Sequence, residues 1–374
     1  MTRQDLHIGE VKNQKDLMAF IRFPWEIYEG DRYWVPPLIK DQLLKFSPDH
    51  PFRSHSDMIL LMADKEGQTV GRIAGIIDHH YIKFQQENVG FFGFFESIAA
   101  PEVAEMLLSK VGKWLKEQGM EKMIGPMNPS TNDECGLLVE GFDASPCLMM
   151  PYNPRYYPSL LEGFGLKKAM DLYAYWLDES FFLDDRLLRS TGRLIKRDPQ
   201  FSVRPIHLRR LDEELKIIKE IFNDAWSKNW GFVPLTEPEL NDLARNLKSL
   251  VVPELVLIAY WGEEPVGFSV SLPDYNEVLK HLNGKVGLLG TLKFFYYSRK
   301  IHTIRVMLLG VKRAFQKKGV EGLLYMETFK KGIEKGYYRS ECSWILENNA
   351  LMQHGLEAMG GKHYKTYRIY EAPL

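Results

Sequence analysis

The chain has 374 residues, 45% of them hydrophobic and 13% aromatic, which is enough to bury a large core and long enough to favour two domains. A formal net charge of −1 gives no electrostatic reason to expect nucleic acid as a partner, and three cysteines without CxxC spacing suggest neither a disulfide framework nor a metal site. No window approaches about 18 apolar residues and MTRQDLHIGEVKNQKD holds no apolar signal segment, so a cytoplasmic protein without a membrane span is expected.

In chain order, Leu6 to Val11 reads as a strand and Asp16 to Glu29 as a helix. Between them and the next strand pair lies an aromatic, proline-bearing segment, Trp25 to Pro37, of the kind that builds core or an interdomain surface. Met58 to Ala63 and Val70 to Ile77 read as hairpin strands around Lys65-Glu66-Gly67. Asp78-His79-His80-Tyr81 follows; adjacent histidines on an extended chain face opposite ways, so joint metal ligation is not expected. Val89 to Glu96 is a further strand. It runs directly into a helix from Pro101 to Gln118, with Val103, Leu107, Val111 and Leu115 on one face.

A strand at Lys122 to Gly125 leads into a long polar loop, Gly125 to Pro154. Turn residues dominate it, so a structured surface loop is one reading. Long loops in compact domains are also disproportionately functional. On that reading Asn132, Asp133 and Glu134 supply an amide and carboxylates able to bind an amine or hydroxyls, with Leu148-Met149-Met150 as apolar neighbours. The first half closes with a helix near Pro154 to Leu161 and a strand at Leu172 to Leu177.

The second half repeats this order, although the two halves share almost no sequence identity. A strand lies near Phe201 to Pro205, a helix at Leu211 to Trp226, and hairpin strands at Leu255 to Trp261 and Val266 to Leu272. Phe294-Phe295-Tyr296-Tyr297, bracketed by Lys293, Arg299 and Lys300, fits a membrane-surface helix, a lid over a long acyl chain, or a helix packed beneath a sheet. From Ile304 to Val311 apolar residues fall on both faces, as in a buried strand. The turn Gln316-Lys317-Lys318-Gly319-Val320 then feeds an uncapped helix with Gly322, Met326, Phe329 and Ile333 on one face. A basic, glycine-containing turn at a helix N-terminus offers backbone N–H groups and a positive dipole end, which suits a phosphate or pyrophosphate; the alternative is a solvated turn. A strand from Arg339 to Leu346, Glu347-Asn348-Asn349, a helix to Met359 and a strand from Tyr364 to Tyr370 complete the chain.

This order, with Gln316-x-x-Gly319-Val320 after the strand, resembles the GNAT family of acyl-CoA-dependent N-acyltransferases. The segments at 90–96, 132–143 and 364–371 resemble more specifically a group of bacterial two-domain GNAT-like proteins, over nearly the whole chain. The resemblance implies an α/β fold of two tandem GNAT-like domains, 1–180 and 181–374, each a mixed, mostly antiparallel sheet flanked by helices. It implies that the second domain holds acyl-CoA, acetyl or long-chain, through Gln316, Lys317, Lys318, Gly319, Val320 and Gly322, with Leu309 and Val311 on the strand and Asn349 beyond. The first domain lacks such a turn and is not expected to bind acyl-CoA in the usual way. Two positions depart from the family pattern. Glu321 stands where a small residue is usual, and Leu356 stands where a tyrosine often protonates the leaving thiolate. His354, Tyr364 and Tyr367 are candidate replacement acids.

Glu347, at the end of a strand that splays open in the resembled family, is a candidate base for an incoming ammonium, or simply a helix N-terminal carboxylate. Glu347, Asn132, Asp133 and Glu134 are therefore the candidate catalytic residues, the last three in a site shared with the second domain. The expected activity is transfer of an acetyl or longer acyl group to an amine, including a lipid amine, with peripheral membrane contact compatible. The other reading is a GNAT-fold ligand-binding protein that is non-catalytic or independent of coenzyme A.

Overall fold

A computed structural model of the chain describes residues 6–178 and 198–374, so the expected boundary at 180/181 lies outside the described residues. Leu6–Glu10 forms β1, and Gln14–Arg22 forms α1, whose cap Asn13 accepts the amides of Lys15 and Asp16. The helix expected to run to Glu29 stops here, because Pro24 lacks an N–H and opens a separate short turn over Pro24–Ile27. Ser56–Lys65 (β2) and Gln68–Asp78 (β3) form the expected hairpin, and Asp78 caps a short helix by accepting the amides of His80 and Tyr81. Val89–Ser97 is β4, Pro101–Glu117 is α2, and Lys122–Gly125 is β5.

The polar loop is more ordered than its composition suggests. It contains a two-residue-per-strand hairpin, Met127–Asn128 (β6) with Glu134–Cys135 (β7), then Leu137–Glu140 (β8). The Asn153 side chain pairs with both the N–H and the C=O of Leu138, closing the loop from inside. Tyr157–Phe164 (α3) and Lys167–Leu177 (β9) follow.

Beyond residue 198 come Phe201–Pro205 (β10), Leu211–Trp226 (α4), Glu237–Leu247 (α5), Val256–Trp261 (β11) and Glu264–Pro273 (β12). Helix α5 starts at a capping box in which Thr236 and Glu239 satisfy each other's amides, a signal present in the sequence as Thr236-Glu237-Pro238-Glu239. Leu288–Ser298 is α6, Thr303–Val311 β13, Val320–Glu334 α7, Arg339–Leu346 β14, Ala350–Ala358 α8 and Lys362–Pro373 β15.

The described residues divide into two compact units. The first comprises residues up to 172 with 278–295 and 365–374; the second comprises 173–277 and 296–364. In the first, β1, β2, β3 and β4 pair antiparallel in order, β4 and β5 pair parallel, and the end of β15 pairs antiparallel with β5 and β8. The terminal strand, grouped with the second half by element order, thus contributes its residues from Lys365 onward to the first unit. Helix α2 lies on this sheet and buries Val103, Leu107, Val111 and Leu115, the face that the apolar spacing predicts.

In the second unit β10, β11, β12 and β13 pair antiparallel in order, and β13 pairs parallel with β14. Helix α7 covers one face through Val320, Leu323, Leu324 and Phe329; α4 covers the other, where Ile218, Ile221 and Phe222 meet Phe268. The stripe expected on α7 is displaced. The helix begins at Val320, so Val320, Leu324 and Thr328 face the sheet while Ile333 is exposed. Helix α6 is also unlike the packed helix its aromatics allow, since none of its residues is buried. No described helix is long and apolar enough to cross a membrane.

Candidate functional site

Strands β13 and β14 pair only from Thr303 opposite Arg339 to Val306 opposite Cys342. At this point β13 carries a bulge: the register against β12 shifts so that Met307 is skipped between Val306 and Leu308. Past the last pair the strands diverge, and Leu309, Gly310 and Val311 on one side and Leu346 on the other line a cavity of about 890 Å³. Everything around it belongs to the second unit.

One part of the lining is the turn between β13 and α7. Gln316 donates from its side chain to the Val311 carbonyl and ties the turn to the strand end. Lys317 and Gly319 both adopt left-handed backbone (φ 61° and 93°), and Gly319 is the N-cap of a helix that has no side-chain cap. Glycine is the residue that takes φ 93° without strain, and its missing Cβ leaves the helix start open to a ligand. Lys228, Arg313 and Lys317 bring positive charge to this region, with Arg313 also paired to Asp224 at 3.4 Å. The opposing charge is Glu321. Burial raises the affinity of its carboxyl for a proton, while the nearby backbone amides of Glu321 itself and of Lys317 favour the charged form and pull the other way. Glu321 thus sets a half-buried carboxylate beside the backbone amides of this turn.

The rest of the lining mixes apolar and aromatic side chains, Trp226 at the end of α4, Trp230 just beyond it, Tyr325 on α7, Leu351 and Met352 on α8 and Met359 at its end, with the amides Asn229 and Asn348. Asn349 lines the cavity too, and caps α8 by accepting the Met352 amide at 3.2 Å. Tyr325 escaped sequence reasoning, because a tyrosine on an apolar helix face reads as core. Its hydroxyl lies 3.0 Å from the Met352 sulfur, and burial, with Cys342 and Glu321 nearby, holds the phenol well above its usual range.

Of the residues expected to hold the cofactor, Leu309, Val311, Gln316, Lys317, Gly319, Gly322 and Asn349 line this one cavity. Val320 is turned into the core, and the Lys318 ammonium lies over the Phe315 ring at 4.7 Å. Leu356, on α8, is fully buried in the core. Glu347 is half-buried next to the lining residues Leu346 and Asn348 but outside the lining itself, and its carbonyl accepts from the Gln353 side chain. The candidate acids His354, Tyr364 and Tyr367 also lie outside the lining: His354 is exposed, Tyr364 donates to Glu341, and Tyr367 is buried in the first unit.

Asn132, Asp133 and Glu134 belong to the first unit and are half-buried in the β6–β7 turn. Asp133 accepts from the Ser130 hydroxyl at 2.8 Å with Lys45 at 4.0 Å, and the Asn132 amide donates to the same hydroxyl. His79 pairs with Asp57 at 2.7 Å, and His55 with Asp78 at 3.0 Å.

In the first unit the corresponding gap between parallel strands is occupied by the chain. Strands β4 and β5 also stop pairing early, after Phe91 and Ile124, but the chain itself fills the gap. Asn128 accepts the Phe94 amide at 2.6 Å, and a Cβ on Gly93 would sit 1.7 Å from the Met127 carbonyl oxygen.

Two units with strands paired in this order, the second opened between its parallel strands beside an uncapped helix start, define a GNAT-fold protein with two tandem domains. Solved structures agree on the fold: a tandem GNAT protein from the clavulanic acid biosynthesis pathway (TM-score 0.56, 11% identity, 98% of each chain) and a GCN5-related N-acetyltransferase from Sphaerobacter thermophilus (TM-score 0.55, 11% identity, 100% of this chain and 97% of that one). No family model matches the chain. Two sequence relatives extend over nearly all of it: Protein YghO of Escherichia coli, 36% identical over 97% of this chain and 94% of its own, and a bacterial ceramide synthase of Caulobacter vibrioides, 35% identical over 100% and 99%. The chain belongs to the family of bacterial tandem GNAT-like proteins that contains these two.

Proposed function

We propose that this protein is an acyl-CoA-dependent N-acyltransferase that holds the acyl-CoA in the second unit and transfers its acyl group to the amine of a lipid. The observation that carries the reading is the cavity between β13 and β14, with a cationic turn and an open helix N-terminus in one part of its lining and mainly apolar and aromatic side chains, with a few amides, in the rest. That combination suits a ligand with phosphates at one end and an apolar chain at the other. The name of the Caulobacter relative points the same way, since a ceramide is an amide of a long-chain amino alcohol.

The reaction needs a neutral amine held against the thioester carbonyl, stabilisation of the oxyanion, and a proton for the departing thiolate. In this reading Tyr325, the phenol that lines the cavity, supplies that proton. Glu347, beside the lining residues Leu346 and Asn348, takes one from the ammonium. The test is transfer of a radiolabelled palmitoyl or acetyl group from coenzyme A to sphinganine or a simple long-chain amine. Glu347→Gln and Tyr325→Phe should each lower turnover while leaving coenzyme A affinity unchanged. Equal turnover in all variants removes those residues from the chemistry.

A second reading has one observation in its favour. Glu321 places a carboxylate among the donors expected to take the pyrophosphate, which suits a ligand without coenzyme A. Absence of any saturable interaction with acetyl- or palmitoyl-CoA would select it.

A further inference from the structure

Helix α6 departs from the rule that an amphipathic helix turns its apolar face inward. Leu288, Leu289, Leu292, Phe295 and Tyr296, spaced to share one face, are exposed, and the three leucines reach 84%, 75% and 62%. Val286, just before the helix, is 57% exposed and extends the same surface. Inward contacts come from the half-buried Gly290, Phe294 and Tyr297. The approach to the helix is firmly anchored within the first unit. Leu282 and Gly284 are buried, the Gly284 carbonyl accepts the Ile39 amide at 3.0 Å, and Trp25 donates to the Asn283 side chain at 2.8 Å. The exposed face is therefore presented by a fixed platform.

Charge identifies what this face meets. From Val278 to Lys300 the chain carries five basic residues (Lys280, Lys285, Lys293, Arg299 and Lys300) and no acidic one, whereas the whole chain has a net charge of −1. Aromatic residues with a polar tip close the helix: Lys300 both donates to the Tyr296 hydroxyl at 2.7 Å and lies over its ring. Apolar side chains outward, cations on either side and tyrosines at the boundary match a bilayer interface with anionic headgroups. At 11 residues the helix is too short to span a bilayer.

We propose that α6, with its basic flanks, docks the protein in plane on an anionic lipid surface. The inference rests on the reading above for its purpose, since a lipid amine and a long acyl chain both reside in a membrane, but its observations are independent of the cavity. Docking would let the lipid acceptor be taken from the bilayer without passing through water.

The test is co-sedimentation of the full chain, without coenzyme A, with vesicles of phosphatidylethanolamine and phosphatidylglycerol and with vesicles of phosphatidylcholine alone. Partition onto the anionic vesicles is expected, weaker on the neutral ones and reduced by salt. Leu288→Glu with Leu292→Glu should lower the partition coefficient by at least about tenfold. Both positions are solvent-exposed, so circular dichroism, melting temperature and transfer to a detergent-dispersed amine should be unchanged. No partition onto either vesicle, or partition indifferent to the double substitution, overturns the proposal. A concentration-dependent dimer that the same substitution dissolves, with no vesicle binding, would assign the face to a second copy instead. Vesicle binding without transferase activity would leave the docking intact and remove the enzymatic reading alone.

Discussion

At the scale of single residues, Glu321 is the position with the sharpest consequence. Its departure from the family pattern was legible in the sequence, but not the burial of its carboxylate beside the amides of its own turn. A negative charge beside a pyrophosphate opposes binding, so Glu321→Gln should tighten acyl-CoA by roughly five- to thirtyfold, ~1–2 kcal/mol. Since burial raises the carboxyl's proton affinity, coenzyme A affinity of the unaltered protein should also rise as pH falls toward that titration. The variant should lack this rise. Calorimetry at several pH values measures both, and weaker binding by Glu321→Gln would assign the carboxylate a supporting role. A second buried cluster in the same unit escaped sequence reading because its members are scattered. Arg305 donates to the Ser343 hydroxyl at 2.9 Å, that hydroxyl donates to Glu341, Tyr364 donates to Glu341 as well, and Arg305 and Glu341 lie 3.8 Å apart, both nearly inaccessible. Glu341→Leu strands a buried guanidinium and should cost about 3–5 kcal/mol in urea unfolding. A loss within error would mean that the arginine finds water.

Among elements, those set by local pattern were readable: the β2–β3 hairpin, the α2 face, and the β13–turn–α7 unit with its glycine N-cap. Others depended on partners far away in the chain. Nothing in residues 364–374 reveals that Tyr370 to Pro373 pair with Lys122 to Gly125. Nor could aromatic clustering tell an inward from an outward face on α6, because aromatics of that density usually pack inside. The polar loop is a further case, since turn composition announces turns but not that Asn128 would fill the gap between β4 and β5. That packing gives a test at this scale. Gly93→Ala sets a methyl group against the Met127 carbonyl, with backbone on both sides, so it should destabilise the first unit by well over ~3 kcal/mol or prevent its folding. A folded Gly93→Ala protein with an unchanged melting temperature would contradict the close approach.

For the molecule as a whole, pH and ligand are the informative variables. Asp171 is partly desolvated, which alone would raise its pKa, but the two-pronged bond from Arg368 (2.8 and 3.1 Å) and the Lys168 ammonium outweigh burial and lower it. A carboxylate depressed in the folded state contributes stability above its unfolded pKa of about 3.9 and loses it as pH falls through the folded value. Asp171→Asn should therefore flatten the acid limb of the stability curve below about pH 4, and a variant with the same acid limb would show that the pair contributes nothing. The central claim, that the cavity between β13 and β14 holds an acyl-CoA, is tested most directly by titrating palmitoyl-CoA into the protein and its Gly319→Val variant by calorimetry. The account predicts one saturable site per chain, weakened by salt, and lost in a Gly319→Val protein that remains folded by circular dichroism. Undiminished binding by that folded variant, or no binding by the unaltered protein, would contradict it.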